Sequence, residues 1–241
     1  MDSADLCSHN QNNATLEEKG SFYTDAANYW SQIPPTVDGM LGGYGFISRA
    51  DINGSTQFLN HLFKLKVPPG NGRALDCGAG IGRITKDFLL HHFDKVDLVE
   101  QNPAFVEQAR VSLADHERMG NFFCSGLQDF VPEPAAYDVI WCQWVLSHLT
   151  DGDLIAFLRC CTRGLKANGV IVMKENATSS GVVEVDTTDS SATRPLDRLL
   201  QLVNQAGLQR VKQRRQENFP QGLYPVYMIA TRPIAAEGAC P

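Results

Sequence analysis

The sequence predicts an α/β protein, a parallel sheet covered by helices on both faces. Three observations carry this. Short apolar runs alternate with helix-period segments across residues 74–174. A glycine turn, Gly78-Ala79-Gly80-Ile81-Gly82, joins the first run to a helix. The next run ends on an acid, Glu100, 18 residues beyond Gly82. The 241 residues are 43% hydrophobic and 20% charged, enough for a sizeable core in one large domain.

Residues 1–20 read as a flexible polar arm, and 21–241 as a single domain. Within it, 21–66 form an N-terminal helical cover, with helices at 21–30 and 51–66. Pro34-Pro35 stops the first, because proline lacks the amide donor and clashes inside a helix. Residues 38–45 carry four glycines among eight residues and read as a loop. The sheet core spans 72–174. Strands are expected at 74–77, 95–100, 121–124, 137–141 and 170–174. Helices are expected at 84–93, 102–115 and 151–165, the last ending in a turn with the late Gly169. Residues 175–232 then hold a polar insertion, a helix at 195–206 and two β-like runs at 208–214 and 224–231.

Composition excludes several classes. Acids outnumber bases, 27 to 21, so the basic footprint of a nucleic-acid binder is absent. No apolar run reaches the roughly 18 residues of a membrane span, and the opening residues show no secretory h-region. The cysteine count is seven and no Cys-x-x-Cys occurs, so free thiols in a reducing compartment are expected and no zinc site.

The glycine turn reads Gly-x-Gly-x-Gly, not the Gly-x-Gly-x-x-Gly of dinucleotide sites. Such a turn lets a ligand approach the backbone closely. Asp76 at the strand end suits a cationic ligand better than a pyrophosphate. Glu100 can accept both hydrogen bonds of a ribose diol. Together these residues resemble the class I S-adenosylmethionine-dependent methyltransferases over about residues 72–174. That resemblance implies a seven-stranded Rossmann-like sheet with a reversed final strand, and adenosylmethionine over the first strand ends.

The acceptor side is read from other segments. The run Tyr29-Trp30 to Gly45 is a glycine loop framed by aromatics, able to close over a site. Gln143-Trp144 follows the fourth strand, where the acceptor meets the cofactor in this fold, and a tryptophan there can wall an amine pocket. Beyond Glu175-Asn176, the acids Glu184, Asp186 and Asp189 have no intervening base, so they form either a solvated face or a binding lip for a cation. With Gly126-Leu127-Gln128-Asp129-Phe130 and His148-Leu149-Thr150-Asp151, these runs resemble the protein α-N-terminal methyltransferases across nearly the whole chain.

That resemblance implies methyl transfer from S-adenosyl-L-methionine, leaving S-adenosyl-L-homocysteine. The acceptor would be the free α-amine of proteins beginning Xaa-Pro-Lys/Arg, with Ser, Ala or Pro first and up to two or three methyls added. It also implies roles for residues. Gly78 and Arg83 should contact the cofactor's methionine part, and Glu100, Gln101 and Asn102 its ribose. Leu127 and Gln128 should border the adenine, with Gln143 beside the sulfonium. Trp30 and Trp144 should line the peptide channel. Asn176 should bond the peptide's first residue, and Asp186 and Asp189 the amine and the third-position cation. Catalysis would fall to Asp189, His148 and Asn176, with no metal. Family members act in nucleus and cytoplasm. This chain has Glu100 where the family usually has aspartate, and the spacing from Asn176 to Asp189 is one residue longer than the resemblance leads one to expect. A class I methyltransferase of a small-molecule amine, or a catalytically idle adenosylmethionine-binding partner subunit, remains the alternative at this level.

Overall fold

A computed structural model describes residues 20–234. The expected arm at 1–20 lies outside the described residues apart from Gly20, as do Cys7 and Cys240. Seven strands form one sheet: β1 (Arg73–Cys77), β2 (Lys95–Glu100), β3 (Met119–Cys124), β4 (Tyr137–Gln143), β5 (Leu165–Asn176), β8 (Leu208–Arg215) and β9 (Val226–Pro233). Two short strands, β6 (Glu184–Asp186) and β7 (Ser191–Thr193), pair separately. The sheet order is β3-β2-β1-β4-β5-β9-β8, with β9 antiparallel to both neighbours. The strand order therefore reverses between β1 and β4, which opens a crevice at their carboxyl ends.

Alternation along the strands builds two cores. Leu75, Cys77, Ile140 and Cys142 face α6 (Asp151–Gly164) and α7 (Leu196–Gln205). Ala74, Val139 and Trp141 face α3 (Ser48–Leu62), α4 (Arg83–Asp87) and α5 (Pro103–Leu113). Central strands buried on both faces explain the near-continuous apolar runs in the sequence. The first helix, α1 (Phe22–Gln32), lies over the crevice. Tyr23 Oη donates to Asp153 and Asn102 Nδ2 donates to the Trp30 carbonyl at 3.2 Å.

Four local expectations change. The expected helix at 84–93 breaks after Asp87, and a 3-10 turn follows at Leu89–His91. Phe88, Leu89, Leu90 and Phe93 are all buried, and one straight helix cannot aim that many neighbouring side chains at one face. Helix α6 stops at Gly164 and β5 begins at once, so the turn expected at 166–169 is an irregularity within the strand. There Asn168, not Gly169, takes the left-handed conformation, with φ 67°. The glycine loop starts with one turn of helix, α2 (Val37–Met40), whose Thr36 Oγ1 accepts from Gly39 N at 3.0 Å. The segment read only as a polar insertion contains the β6–β7 hairpin, which nothing in its composition signalled.

Candidate active site

The glycine turn caps β1. Gly78 N and Ala79 N donate to the Val99 carbonyl at 2.9 and 3.1 Å. Gly78 has φ 69°, and a Cβ there would lie 2.3 Å from Val145 Cγ2, so the turn needs glycine for both conformation and space. Glu100 fastens the turn from β2. Its Oε2 accepts from Gly80 N at 2.9 Å and its Oε1 from Asn102 N at 2.8 Å. Each oxygen keeps a lone pair for a ligand hydroxyl. Burial raises the Glu100 pKa, and the amides of Asn102, Gly80 and Gln101 oppose that shift.

Gly78, Arg83, Glu100, Gln101, Leu127, Gln128 and Gln143 all line one cleft. Asn102 does not. Its side chain caps α5, with Oδ1 accepting from Ala104 N at 2.9 Å, and it ties down α1. Asp76 also departs from its expected role. It is fully buried, accepts from Thr85 Oγ1 at 2.6 Å and lines neither this cleft nor the second one described below. Desolvation pushes its pKa up to about 6, against the pull of Thr85 and Arg83.

The cleft encloses about 930 Å³, open solvent at its mouth included. It carries an acceptor-only carboxylate at one side, apolar Val99, Phe105 and Leu127 walls, and the Arg83 guanidinium. Arg83 spends Nη1 on Asp51 at 2.7 Å, while Nε and Nη2 have no protein partner among the described residues. A diol, a flat ring and a carboxylate each find their complement, so these residues fit adenosylmethionine.

A second cleft of about 1110 Å³, again open to solvent, meets the first. Trp30, Met40, Trp144 and His148 belong to both walls. Asn176 and Asp189 line the second cleft only, and Asp186 lines neither. Asp186 sits exposed on β6, and its Oδ1 accepts from Thr188 N at 2.7 Å. Glu184 also lines neither cleft but is tied to one wall of the second. Glu184 accepts from Ser180 Oγ at 2.6 Å and from Tyr224 Oη at 2.5 Å, and Tyr224 lines the second cleft.

Two polar atoms are buried without a partner among the described residues: Trp144 Nε1 at the junction and Asp189 Oδ1 in the second cleft. Trp144 also holds φ 52°, a strained state for a bulky residue. The Arg83 guanidinium lies 5.8 Å and Lys174 Nζ 6.0 Å from the Trp144 ring. His148 Nε2 accepts from Trp30 Nε1 at 3.1 Å, which leaves Nδ1 to donate to the Ser190 carbonyl at 3.3 Å. Burial lowers its pKa, and the Asp189 charge raises it. The imidazole therefore rests neutral with both nitrogens engaged, and does not stand free as a base.

Glu175 was legible only as the end of β5. It is buried on the second cleft, and its Oε1 accepts from Val145 N and Leu146 N, both at 3.0 Å, fixing the turn that carries Trp144 and His148. Sequence reasoning missed Asp51 and Lys174 altogether. Asp51, on α3, accepts from Arg83, from Lys174 Nζ at 2.5 Å and from Gln143 Nε2 at 2.9 Å. The signal was present: a lysine ending an apolar strand run, Val170-Ile171-Val172-Met173-Lys174, requires a buried acid somewhere. No group of three or more His, Cys, Asp or Glu suited to a metal occurs among the described residues. No described helix is long and apolar enough to cross a membrane.

A seven-stranded sheet of this order, with a glycine turn on the first strand and an acid ending the second, defines a class I AdoMet-dependent methyltransferase. The sequence profile of the "AdoMet dependent proline di-methyltransferase" family matches residues 18–232. N-terminal Xaa-Pro-Lys N-methyltransferase 1 of Danio rerio is 51% identical over 219 residues, covering 90% of this chain and 98% of that protein. The Homo sapiens protein of the same name is 51% identical over 221 residues, with the same coverage. A solved SAM-dependent methyltransferase from Leishmania major superposes with a TM-score of 0.83 at 37% identity, covering 88% of this chain and 83% of the other. The chain belongs to the AdoMet-dependent proline di-methyltransferase family.

Proposed function

We propose that this protein transfers methyl groups from adenosylmethionine to the free α-amine of protein chains beginning Xaa-Pro-Lys/Arg. The observation that carries this is the junction of the two clefts. Cofactor-lining residues meet an aromatic channel at Trp30, Trp144 and His148, and an unpartnered Asp189 oxygen lies beyond it. The names of the Danio rerio and Homo sapiens relatives print the motif Xaa-Pro-Lys, and arginine at the third position rests on the like charge.

Adenosylmethionine supplies an electrophilic methyl group on a sulfonium whose departure needs no acid. The chain's own residues must hold the acceptor and remove a proton. A protein α-amine has an ordinary pKa of about 7.7–8.0, so a neutral fraction is available near pH 7, whereas a lysine amine near 10.4 is almost wholly charged. Asp189 Oδ1 attracts the ammonium and takes its proton, directly or through water. His148 holds Trp30 and orients the wall. Asn176, at the end of β5, bonds the peptide's first residue. A second-position proline has a fixed φ and no amide donor, which suits a narrow aromatic channel. Glu184 and Tyr224 at the mouth receive the third-position cation. A serine or alanine amine can accept up to three methyls and a proline amine two, by valence alone.

Mass spectrometry of a Ser-Pro-Lys peptide incubated with the protein and adenosylmethionine tests this. Stepwise 14 Da additions confined to the first residue are expected, from the mass of a methylene. Equal methylation of the N-acetylated peptide would refute the α-amine assignment.

A further inference from the structure

Asp51 is a fully buried carboxylate shared by two buried cations. Its Oδ2 accepts from Arg83 Nη1 at 2.7 Å and its Oδ1 from Lys174 Nζ at 2.5 Å. Lys174 Nζ also donates to the Asp51 carbonyl at 3.0 Å and to Ser55 Oγ at 2.9 Å. Three oxygens around one nitrogen match the three N–H groups of an ammonium. Gln143 completes the hub. Its Nε2 donates to both Asp51 oxygens at 2.9 Å, and its Oε1 accepts from Trp141 Nε1 at 3.1 Å. Of these residues only Arg83 and Gln143 reach the cofactor cleft. The hub itself sets one anion against two cations, with the Asp76 carboxylate also within reach of the Arg83 charge, and Arg83 lines the cleft with Nε and Nη2 left without a partner among the described residues.

We propose that Lys174 is a positioning residue for the anionic end of the cofactor: by sharing Asp51, it keeps Arg83 from being spent on that acid alone and so preserves a cationic donor fork for the methionine carboxylate. Without Lys174, Asp51 would pair with Arg83 alone, and the fork would be spent inside the protein. A lone buried Arg–Asp pair is a closed dipole, whereas the present arrangement has charge left to offer a ligand. Asp51 also fixes the Gln143 amide, so the same hub sets a second wall of the cleft. This rests on the assignment of that cleft to adenosylmethionine.

The test compares two probes by calorimetry, adenosylhomocysteine and 5′-methylthioadenosine, which lacks the methionine carboxylate. The readout is the ratio of their affinities in the unaltered protein, Lys174→Met and Asp51→Asn/Lys174→Met. Lys174→Met should weaken adenosylhomocysteine about tenfold and leave methylthioadenosine within about twofold, tenfold being the weight of a single charge-assisted bond. The double variant removes one anion and one cation together, frees Arg83 again, and should recover the ratio to within about threefold. A purely structural lysine would depress both probes alike and give no recovery. If Lys174→Met does not fold, the double variant decides alone, and a ratio collapsed tenfold there overturns the proposal. Failure of the unaltered protein to bind adenosylhomocysteine would sink the cofactor assignment and the proposal with it. Normal binding with an unchanged ratio in Lys174→Met would sink the proposal only.

Discussion

Trp30 donates its indole N–H to His148 Nε2 at 3.1 Å, joining the N-terminal helix to the turn after β4 across 118 residues of sequence. The two rings also meet edge to face, with centroids 5.8 Å apart. The bond makes the helical cover part of the acceptor channel, because it holds Nε2 of an imidazole whose Nδ1 is held by the Ser190 carbonyl.

Trp30→Phe keeps most of the packing and loses the donor. Expected is a peptide KM raised about fivefold, from a hydrogen bond of about 1 kcal/mol, with cofactor affinity unchanged. The His148 pKa should rise, since the lost bond favoured the neutral ring. Steady-state kinetics and histidine NMR titration read the two effects, and an unmoved His148 titration would show that the bond does not form in solution.

Asp189→Asn removes the proton acceptor while keeping the shape. Single-turnover methylation should slow about a hundredfold, the usual weight of a positioned base, with adenosylhomocysteine binding intact. His148→Ala should act mainly on peptide KM. A rate near that of the unaltered protein in Asp189→Asn would take this carboxylate out of the proton path.

Glu100→Gln leaves the strand end in place but exchanges one acceptor oxygen for a donor group. Both oxygens now hold backbone amides and face the cofactor cleft. Loss of charge-assisted bonds of about 1.5–3 kcal/mol should weaken adenosine-containing ligands roughly ten- to a hundredfold. The shorter Glu100→Asp, measured by the same titration, should retain much of the affinity.

Glu175 gives a pH prediction. Desolvation raises its pKa to about 7, although amides of Leu146 and Val145 favour the charged form. A folded pKa above the unfolded one means that stability is fully present below the ordinary glutamate pKa and is lost as pH climbs towards and through 7. The amount is about 3 kcal/mol. Glu175→Gln should therefore gain on the unaltered protein between pH 5 and 8 in denaturant melts. An identical gap at both pH values would mean that Glu175 does not titrate in that window.

Glu184→Gln should reduce the preference for lysine over glutamine at the third peptide position by up to about fivefold, the range of an exposed ion pair. Asp186→Asn should change it little, because that side chain turns back onto its own loop. Competition between the two peptides measures the ratio, and the reverse ranking of the variants would return the outer acidic role to Asp186.

The cofactor half of the site was largely legible in the sequence. Its residues sit at the ends of adjacent parallel strands, and strand–turn–helix order with Gly78, Arg83, Glu100 and Gln143 at set offsets places them automatically. The side chains of Asn102 and Asp76 are engaged within the protein, and both for the same reason. A polar residue beside a ligand loop can serve the backbone rather than the ligand, and only the partner atoms, Ala104 N and Thr85 Oγ1, distinguish the two.

What the sequence by itself determined was the alternation that makes the sheet, the glycine turn, and the family that the chain resembles, because each depends on residues close together in the chain. The tertiary structure alone decided which acid of the insertion faces the cleft, that His148 is held by Trp30, and that Asp51 joins Lys174, Arg83 and Gln143. Those pairings span between 32 and 123 residues and are chosen by burial: an unpaired charge or amide inside the fold is costly, so distant partners are brought together.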